Sequence, residues 1–359
     1  DRGLASVDST VHEILRLGAY QLLYMDGVPD YAAVSESVDQ VRSSAGPRPA
    51  GFANAVLRKV ERAGAGKENF PDPACDRSGY LATWGSHPRW LVDRWVAVWG
   101  ADDAESLIEA DNQRPSTCLV FLEGSPAEAV QRLATAGIEA REVGMGSACV
   151  RLENRGEVAA ALAAMPACIV QDPAANLVSR YADVPSGTIV ADLCAAPGGK
   201  VLALSDRPQQ ILTADRSESR IRMVRENARR TGRTVTLLVA DALHPPVRGA
   251  DVVLLDVPCT GTGTLARHPD ARWRLSEESI PQMAELQSGM LAAAADVVGP
   301  SGLLVYSTCS LEPEENWERV EAFLGTRSDF SVEATDAVPA GHLDEHGCLS
   351  IAPHETGFD

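Results

Sequence analysis

The chain is predicted to be an α/β protein, its second half a mostly parallel, doubly wound sheet preceded by an all-α segment and a small α+β subdomain. Three observations carry this. From residue 169 onward apolar strand-like runs alternate with helical periods, which makes a sheet covered on both faces. The stretch Asp192-Leu-Cys-Ala-Ala-Pro-Gly-Gly-Lys200 joins an apolar run to a helix through a glycine-rich turn, the ligand corner of such a sheet. Residues 1–65 show helical rather than strand periodicity.

In chain order, Val11, Ile14, Leu15, Leu17, Gly18, Tyr20 and Leu22 follow one helical period. A break at Val28-Pro-Asp-Tyr31 precedes a helix over 32–41, and another amphipathic helix begins at Gly51 and ends near Gly64. Residues 66–78, with Gly66, Pro71 and Pro73, read as a linker, and 80–109 as helical. Trp90, Trp95 and Trp99 lie in that helical stretch; base stacking and core packing both fit, with packing the weightier reading. Strands at 117–122, 138–143 and 148–152 with helices at 126–136 and 157–165 form a small α+β subdomain, RRM-like in order but without an aromatic RNP signature. It is read as a spacer shaping a cleft.

The doubly wound part has strands expected at 188–192, 211–214, 235–239, 251–256 and 303–307. Its helices are expected at 174–182, 199–205, 217–231, 277–298 and 314–325. Gly299 to Gly302 reads as a sharp turn after the long helix.

Composition limits the function. The chain has 359 residues, 45% hydrophobic and 23% charged, enough for two or three domains. No apolar run of about 18 residues predicts a membrane span, and no signal peptide is visible after Asp1. The missing initial Met suggests that the sequence begins inside a longer product. A net charge of −18 argues against nucleic-acid binding over the whole surface, so any such contact needs a local basic groove. The eight cysteines show no C-x-x-C pair and no zinc spacing with His. Reduced thiols of a cytoplasmic protein fit best, and no metal is implied.

Several residues carry chemistry. Val201 after Lys200 excludes G-x-x-x-x-G-K-[ST], and the loop lacks G-x-G-x-x-G, so a nucleoside ligand other than a dinucleotide is expected. Asp215 closes the second strand, where an acid accepts hydrogen bonds from a ribose diol; the alternative is a turn residue or helix cap. Asp256-Val-Pro-Cys259 and Tyr306-Ser-Thr-Cys309 each end a strand. In a doubly wound sheet those strands are neighbours, which brings two thiols 50 residues apart to one edge.

Three motifs in this order (192–200, then Asp256-Val-Pro-Cys-Thr-Gly-Thr-Gly263, then Tyr306-Ser-Thr-Cys-Ser310) resemble those of S-adenosylmethionine-dependent RNA cytosine-C5 methyltransferases. Residues 31–38 and 51–59 resemble the NusB-like RNA-binding domain at the front of the RsmB/Sun (Fmu) type, which methylates small-subunit ribosomal RNA. The resemblance implies a Rossmann-like methyltransferase domain over 169–359, a NusB-like domain over 1–65, and linker helices with the small subdomain over 66–168. Both ends are expected to be incomplete, with a final strand missing after Asp359.

It also implies S-adenosylmethionine as methyl donor, held by Cys194, Ala195, Ala196, Pro197, Gly198, Gly199, Lys200, Asp215, Arg220, Asp241 and Asp256. Cys309 is the implied nucleophile toward cytosine C6, Cys259 the residue aiding release, and Asp256 the partner of the N3/N4 edge. Arg267, His268, Arg272 and Arg274, with Trp273, are candidates to grip RNA; a solvated loop is the alternative. Arg222, Arg225 and Arg229 share a helix face read as plain surface, and Glu314 and Glu315 are read as structural acids at a helix start. The expected partner is small-subunit ribosomal RNA and the expected state a monomer. Two alternatives stay open: the same chemistry on tRNA, or an inactive RNA-binding assembly or antitermination factor.

Overall fold

A computed structural model describes residues 7–64, 66, 70–204 and 208–358; Lys67, in the expected linker, and position 205, the end of one expected helix, lie outside them. The chain divides into two compact units, 1–86 and 87–359.

In the first unit, α1 (Ser9–Tyr24), α2 (Asp30–Ala45) and α3 (Pro47–Ala63) surround a core of Val11, Leu15, Val34, Val38, Val41, Ala53 and Leu57. Asp8 caps α1 by accepting the Thr10 and Val11 amides. Gly18 permits the helices to approach: a Cβ there would lie 2.5 Å from Ser37 Oγ. Helix α3 starts at Pro47 rather than at Gly51, because Gly46 turns at φ 92° and Pro47 suits the first helical position. Leu17 and Tyr20, expected on the buried stripe, are 51% and 55% exposed. A short α4 (Arg77–Trp84), capped by Asp76, completes this unit.

The second unit opens with α5 (Arg89–Trp99) and α6 (Ala101–Asp111). Trp95 is fully buried, which favours the packing reading for that tryptophan. Next come β1 (Thr117–Phe121), α7 (Pro126–Thr135), β2 (Ala140–Glu142), β3 (Cys149–Leu152), α8 (Val158–Ala164) and β4 (Cys168–Val170). They form an antiparallel sheet of order β2-β3-β1-β4. The expected boundary after residue 168 cuts through β4, whose Val170 pairs with Leu119. One face of this sheet packs on α7 and α8, and the other sets Cys118, Val120, Cys149 and Ile169 against Val201, Leu202 and Ile211. The subdomain is therefore built into the larger sheet's flank; it is not a free spacer.

The larger sheet follows α9 (Pro173–Tyr181). It contains β5 (Ile189–Asp192), β6 (Gln210–Asp215) after α10 (Gly199–Ala203), β7 (Thr236–Val239) after α11 (Glu218–Arg230), and β8 (Ala250–Asp256). Helix α12 (Ser279–Ala295) leads to β9 (Val298–Ser307). The order is β7-β6-β5-β8-β9, every pair parallel. Strand order reverses beside β5, and ligands bind at such a point outside the carboxyl ends.

The expected turn at Gly299 to Gly302 is instead an irregular part of β9. The chain turns at Asp296 and Val297, and the β8–β9 register shifts where Ser301 takes φ 59°. A Cβ on Gly302 would lie 2.8 Å from the Asp251 carbonyl. The last expected helix is also divided, into a single 3₁₀ turn at Pro313–Glu315 and α13 (Trp317–Thr326). Asn316 separates them because its side chain turns back, accepting from Thr308 Oγ1 and donating to the Ser310 carbonyl.

Candidate active site

The parallel register aligns chemistry along one edge. Asp192 pairs with Leu254, Asp215 with Val239 and Asp256 with Ser307, so β5, β6, β8 and β9 all deliver polar side chains to their carboxyl ends. Chain turns just beyond them add the cysteines. Cys259 and Cys309 meet with their sulfurs 3.2 Å apart, as the strand-neighbour argument requires.

The two thiols differ in proton affinity. Cys309 is lowered from the ordinary thiol value, first by the hydrogen bond to Cys259 and, against burial and the Asp256 charge, by the Lys200 cation. Cys259 is raised well above it, by the same contact with Cys309 and by burial. The pair thus divides into one thiol disposed to ionise and one disposed to keep its proton.

Asp256 is held at both oxygens: Lys200 Nζ donates to one at 2.7 Å and Ser307 Oγ to the other at 2.7 Å. Burial works against the Lys200 charge, yet Asp256 outweighs it and the lysine is held above its usual value. Lys200 therefore reaches from the glycine loop to the end of β8. Asp192, 2% exposed, is raised to about 7 by burial and then by the Asp256 charge.

Gly198 enters α10 at φ 101°, and its amide turns back 2.6 Å to the Ala195 carbonyl. A Cβ there would crowd Val224 Cγ1 at 3.2 Å and Leu202 Cδ1 at 3.3 Å. Arg220 donates to the Ala196 carbonyl at 2.7 Å and lies 3.5 Å from Asp215, bracing the loop against β6. Asn227 likewise holds the Pro197 carbonyl at 3.0 Å. Gly199 lies against the Gln171 side chain. Asp215 is 5% exposed and accepts the Ser217 amide; Ser217, not Asp215, caps α11. Asp241 is exposed beyond β7. Cys194 is pushed up to about 12 by burial and Asp192, so it is no thiolate.

The basic loop divides. Arg272 is 3% exposed; its guanidinium donates to Asn112 Oδ1 at 2.8 Å and to the Asp111 carbonyl at 2.6 Å. Arg267 donates to the Ser116 carbonyl and to Asp172. Both tie loops of the protein together, which corrects the expectation that they grip phosphates: their donors are turned inward to α6 and to the starts of β1 and α9. His268 and Arg274 are exposed, Arg274 beside Asp270, and Trp273 is 61% exposed. Arg222, Arg225 and Arg229 lie on the open face of α11.

Sequence reasoning missed Asp192 as a titrating group, Ser307 as a partner of Asp256, and the reach of Glu315. Asp192 stood in the loop motif and Ser307 beside Cys309, so strand-end position was the available signal for both.

Comparison with known proteins gives the family of the chain. Residues 182–359 match the family profile described as 16S rRNA methyltransferase RsmB/F, 1–62 the NusB family, and 87–159 an RsmF/B-like ferredoxin-like domain. A probable ribosomal RNA small subunit methyltransferase B of Synechocystis is 33% identical over 99% of this chain and 82% of its own length. The Bacillus subtilis protein of the same description is 31% identical over 97% and 80%. The crystal structure of PH0851 superposes with a TM-score of 0.81 at 26% identity, covering 99% of this chain and 83% of that one. A methyltransferase homolog from Pyrococcus horikoshii gives 0.60 at 29% identity over 71% and 83%. With a relative 33% identical over nearly its whole length and the family's own profile matching the half that holds both thiols, the chain belongs to the RsmB/F family of S-adenosylmethionine-dependent RNA methyltransferases.

Proposed function

We propose that the protein methylates C5 of a cytosine in 16S ribosomal RNA, through a covalent bond from Cys309 to C6, with Cys259 assisting release. The observation that carries this reading is the Cys259–Cys309 pair, whose sulfurs lie 3.2 Å apart just beyond two neighbouring strands. One nucleophile alone would serve many reactions. A thiol inclined to ionise beside one that stays protonated suits addition followed by elimination.

The residues present fit S-adenosylmethionine. Asp192, Asp215, Asp241 and Asp256 outnumber the cations Lys200 and Arg220 along this edge, which suits a ligand carrying a sulfonium, an ammonium and a diol. Gly198 takes a φ of 101° where a Cβ would crowd Val224 and Leu202, so the loop's tight backbone turn depends on a glycine there. Asp215 would take the ribose hydroxyls, Asp241 would lie beside the adenine, and residues 194–200 with Arg220 would form the loop around the amino-acid end. When bound, S-adenosylmethionine supplies an electrophilic methyl group.

The chain's own residues do the rest. Cys309 as thiolate adds to C6, and the ring pair moves to C5. Asp256, fixed by Lys200 and Ser307, meets the N3/N4 edge and turns C6 toward the sulfur. After C5 gains its methyl group a solvent water takes the C5 proton, the C5–H pair re-forms the C5=C6 bond, and the C6–sulfur pair returns to Cys309. The protonated Cys259 then hydrogen-bonds the departing thiolate and favours its release. The first 65 residues would act as a NusB-like RNA-binding domain, followed by the linker and ferredoxin-like part, which includes β4, and then by the methyltransferase part. His268, Trp273 and Arg274 form the remaining basic face toward RNA. The protein would work as a cytoplasmic monomer.

The test uses Cys259→Ala with S-adenosylmethionine and small-subunit rRNA on a denaturing gel. A slow-migrating adduct that disappears when Cys309 is also changed supports both thiol roles. Methyl transfer to tRNA instead would move the substrate. No adduct and no transfer by wild type to either RNA would leave an inactive binding factor.

A further inference from the structure

The turns that carry the two cysteines come from different strands, yet one side chain holds both. Glu315 is fully buried. One of its oxygens accepts from Thr260 Oγ1 and from Ser310 Oγ, the latter at 2.6 Å. The other accepts the Thr260 amide at 3.0 Å and Gln287 Nε2 at 2.7 Å. Thr260 directly follows Cys259, and Ser310 directly follows Cys309. Gln287 Nε2 also donates to the Pro258 carbonyl at 3.0 Å, on the other side of Cys259. The Tyr306 hydroxyl donates to the Glu315 carbonyl at 2.7 Å, fixing the acid's own backbone to β9.

From this we infer that Glu315 is the positioning residue that sets the separation of the two thiols. A carboxylate is suited to the task because all four groups facing it donate, and two oxygens supply enough lone pairs for all. A residue needed only to start a helix would not be fully buried between two active-site turns. The inference deepens the proposed mechanism, in which addition and release need the sulfurs within reach of each other, and a shift of about 1 Å in such geometry costs about 100-fold in rate.

The thiol separation can be read without methyl transfer. Phenylarsine oxide condenses with two neighbouring thiols, forming two As–S bonds and releasing one water, and binds a single thiol far more weakly. Wild type should capture it through Cys259 and Cys309, and Cys309→Ser should not. Glu315→Ala should weaken capture by about 100-fold, as expected when two sites stop acting together. Glu315→Gln keeps one carbonyl for the Thr260 amide and Gln287 while the two hydroxyls turn to accept its amide, so it should restore most of the capture. In methyl transfer, Glu315→Ala should lower kcat by about 100-fold while KM for RNA stays within about twofold, because Glu315 touches neither ligand.

Should Glu315→Ala fail to fold, the double variant Thr260→Val/Ser310→Ala breaks the same clasp from its far side and should show the same loss. Wild-type capture in a folded Glu315→Ala or in the double variant would overturn the inference, as would a wild type that captures no arsenical. Capture that behaves as described in a wild type unable to transfer methyl would refute the proposed function and leave this inference standing.

Discussion

Asp192 offers a test of the site's electrostatics that needs no substrate. Its carboxyl is raised from 3.8 to about 7, chiefly by burial and then by the Asp256 charge, against the Cys194 amide and Lys200. Between those two pH values the folded chain binds a proton that the unfolded chain has released. Stability therefore falls as pH rises through this window. At roughly 1.4 kcal/mol for each tenfold change in proton affinity, the whole window amounts to about 4 kcal/mol by pH 8. Asn keeps the acceptor for the Cys194 amide and cannot ionise. Asp192→Asn should match wild type within about 1 kcal/mol at about pH 4 and exceed it by about 4 kcal/mol at about pH 8. Urea unfolding followed by tryptophan emission measures this, with equal m values confirming that one transition is compared. The chain's net charge of −18 tilts both curves alike, so the difference between them isolates the residue. A difference that stays constant across that pH range would refute the claim that Asp192 is protonated by its surroundings.

Three further outcomes follow from the arginines and from the glycine loop. Arg272→Ala strips the Asp111 carbonyl and Asn112 of their donors in a buried site and should cost about 3 kcal/mol in unfolding free energy. Arg274→Ala, at an exposed position beside Asp270, should leave stability within about 0.5 kcal/mol. It should reduce the salt dependence of RNA binding by about one ion, read from affinity against salt concentration; an unchanged slope would remove Arg274 from the RNA face. Gly198→Ala places a side chain at φ 101° with contacts at 3.2 and 3.3 Å, and should raise the Kd for S-adenosylmethionine at least about tenfold in calorimetric titration. Unchanged affinity would show that the loop does not hold the ligand.

What could be read from the sequence, and what could not, follows from the range of the interactions. The strand ends were legible because a short apolar run stopping at a polar residue states its position and polarity locally. Asp192, Asp215, Asp256 and the two cysteines were placed by that rule together with the strand order of a doubly wound sheet. Helix α3 began four residues early because Gly46 and Pro47 outweigh the apolar period beginning at Gly51. The division of the last helix at Asn316 was hidden because its cause, a return to Thr308 and Ser310, lies in another element.

The arginine loop shows the same limit from the other side. A run of Arg267, Arg272, Trp273 and Arg274 reads as a basic patch whatever its side chains do, and charge counting treats the three arginines alike. Only Asn112, the Asp111 carbonyl, Ser116 and Asp172, about 95 to 160 positions earlier, decide that two of them serve the fold. Glu315 inverts the case: adjacent Glu314 and Glu315 look identical in sequence. Yet Glu314 pairs with Arg94 near the surface, while Glu315 faces four donors in the interior. Local pattern fixes which chemistry reaches a strand's end. Where a charged side chain places its hydrogen bonds is fixed by partners that are distant in sequence, and at this site those partners hold the Cys309 turn to that of Cys259.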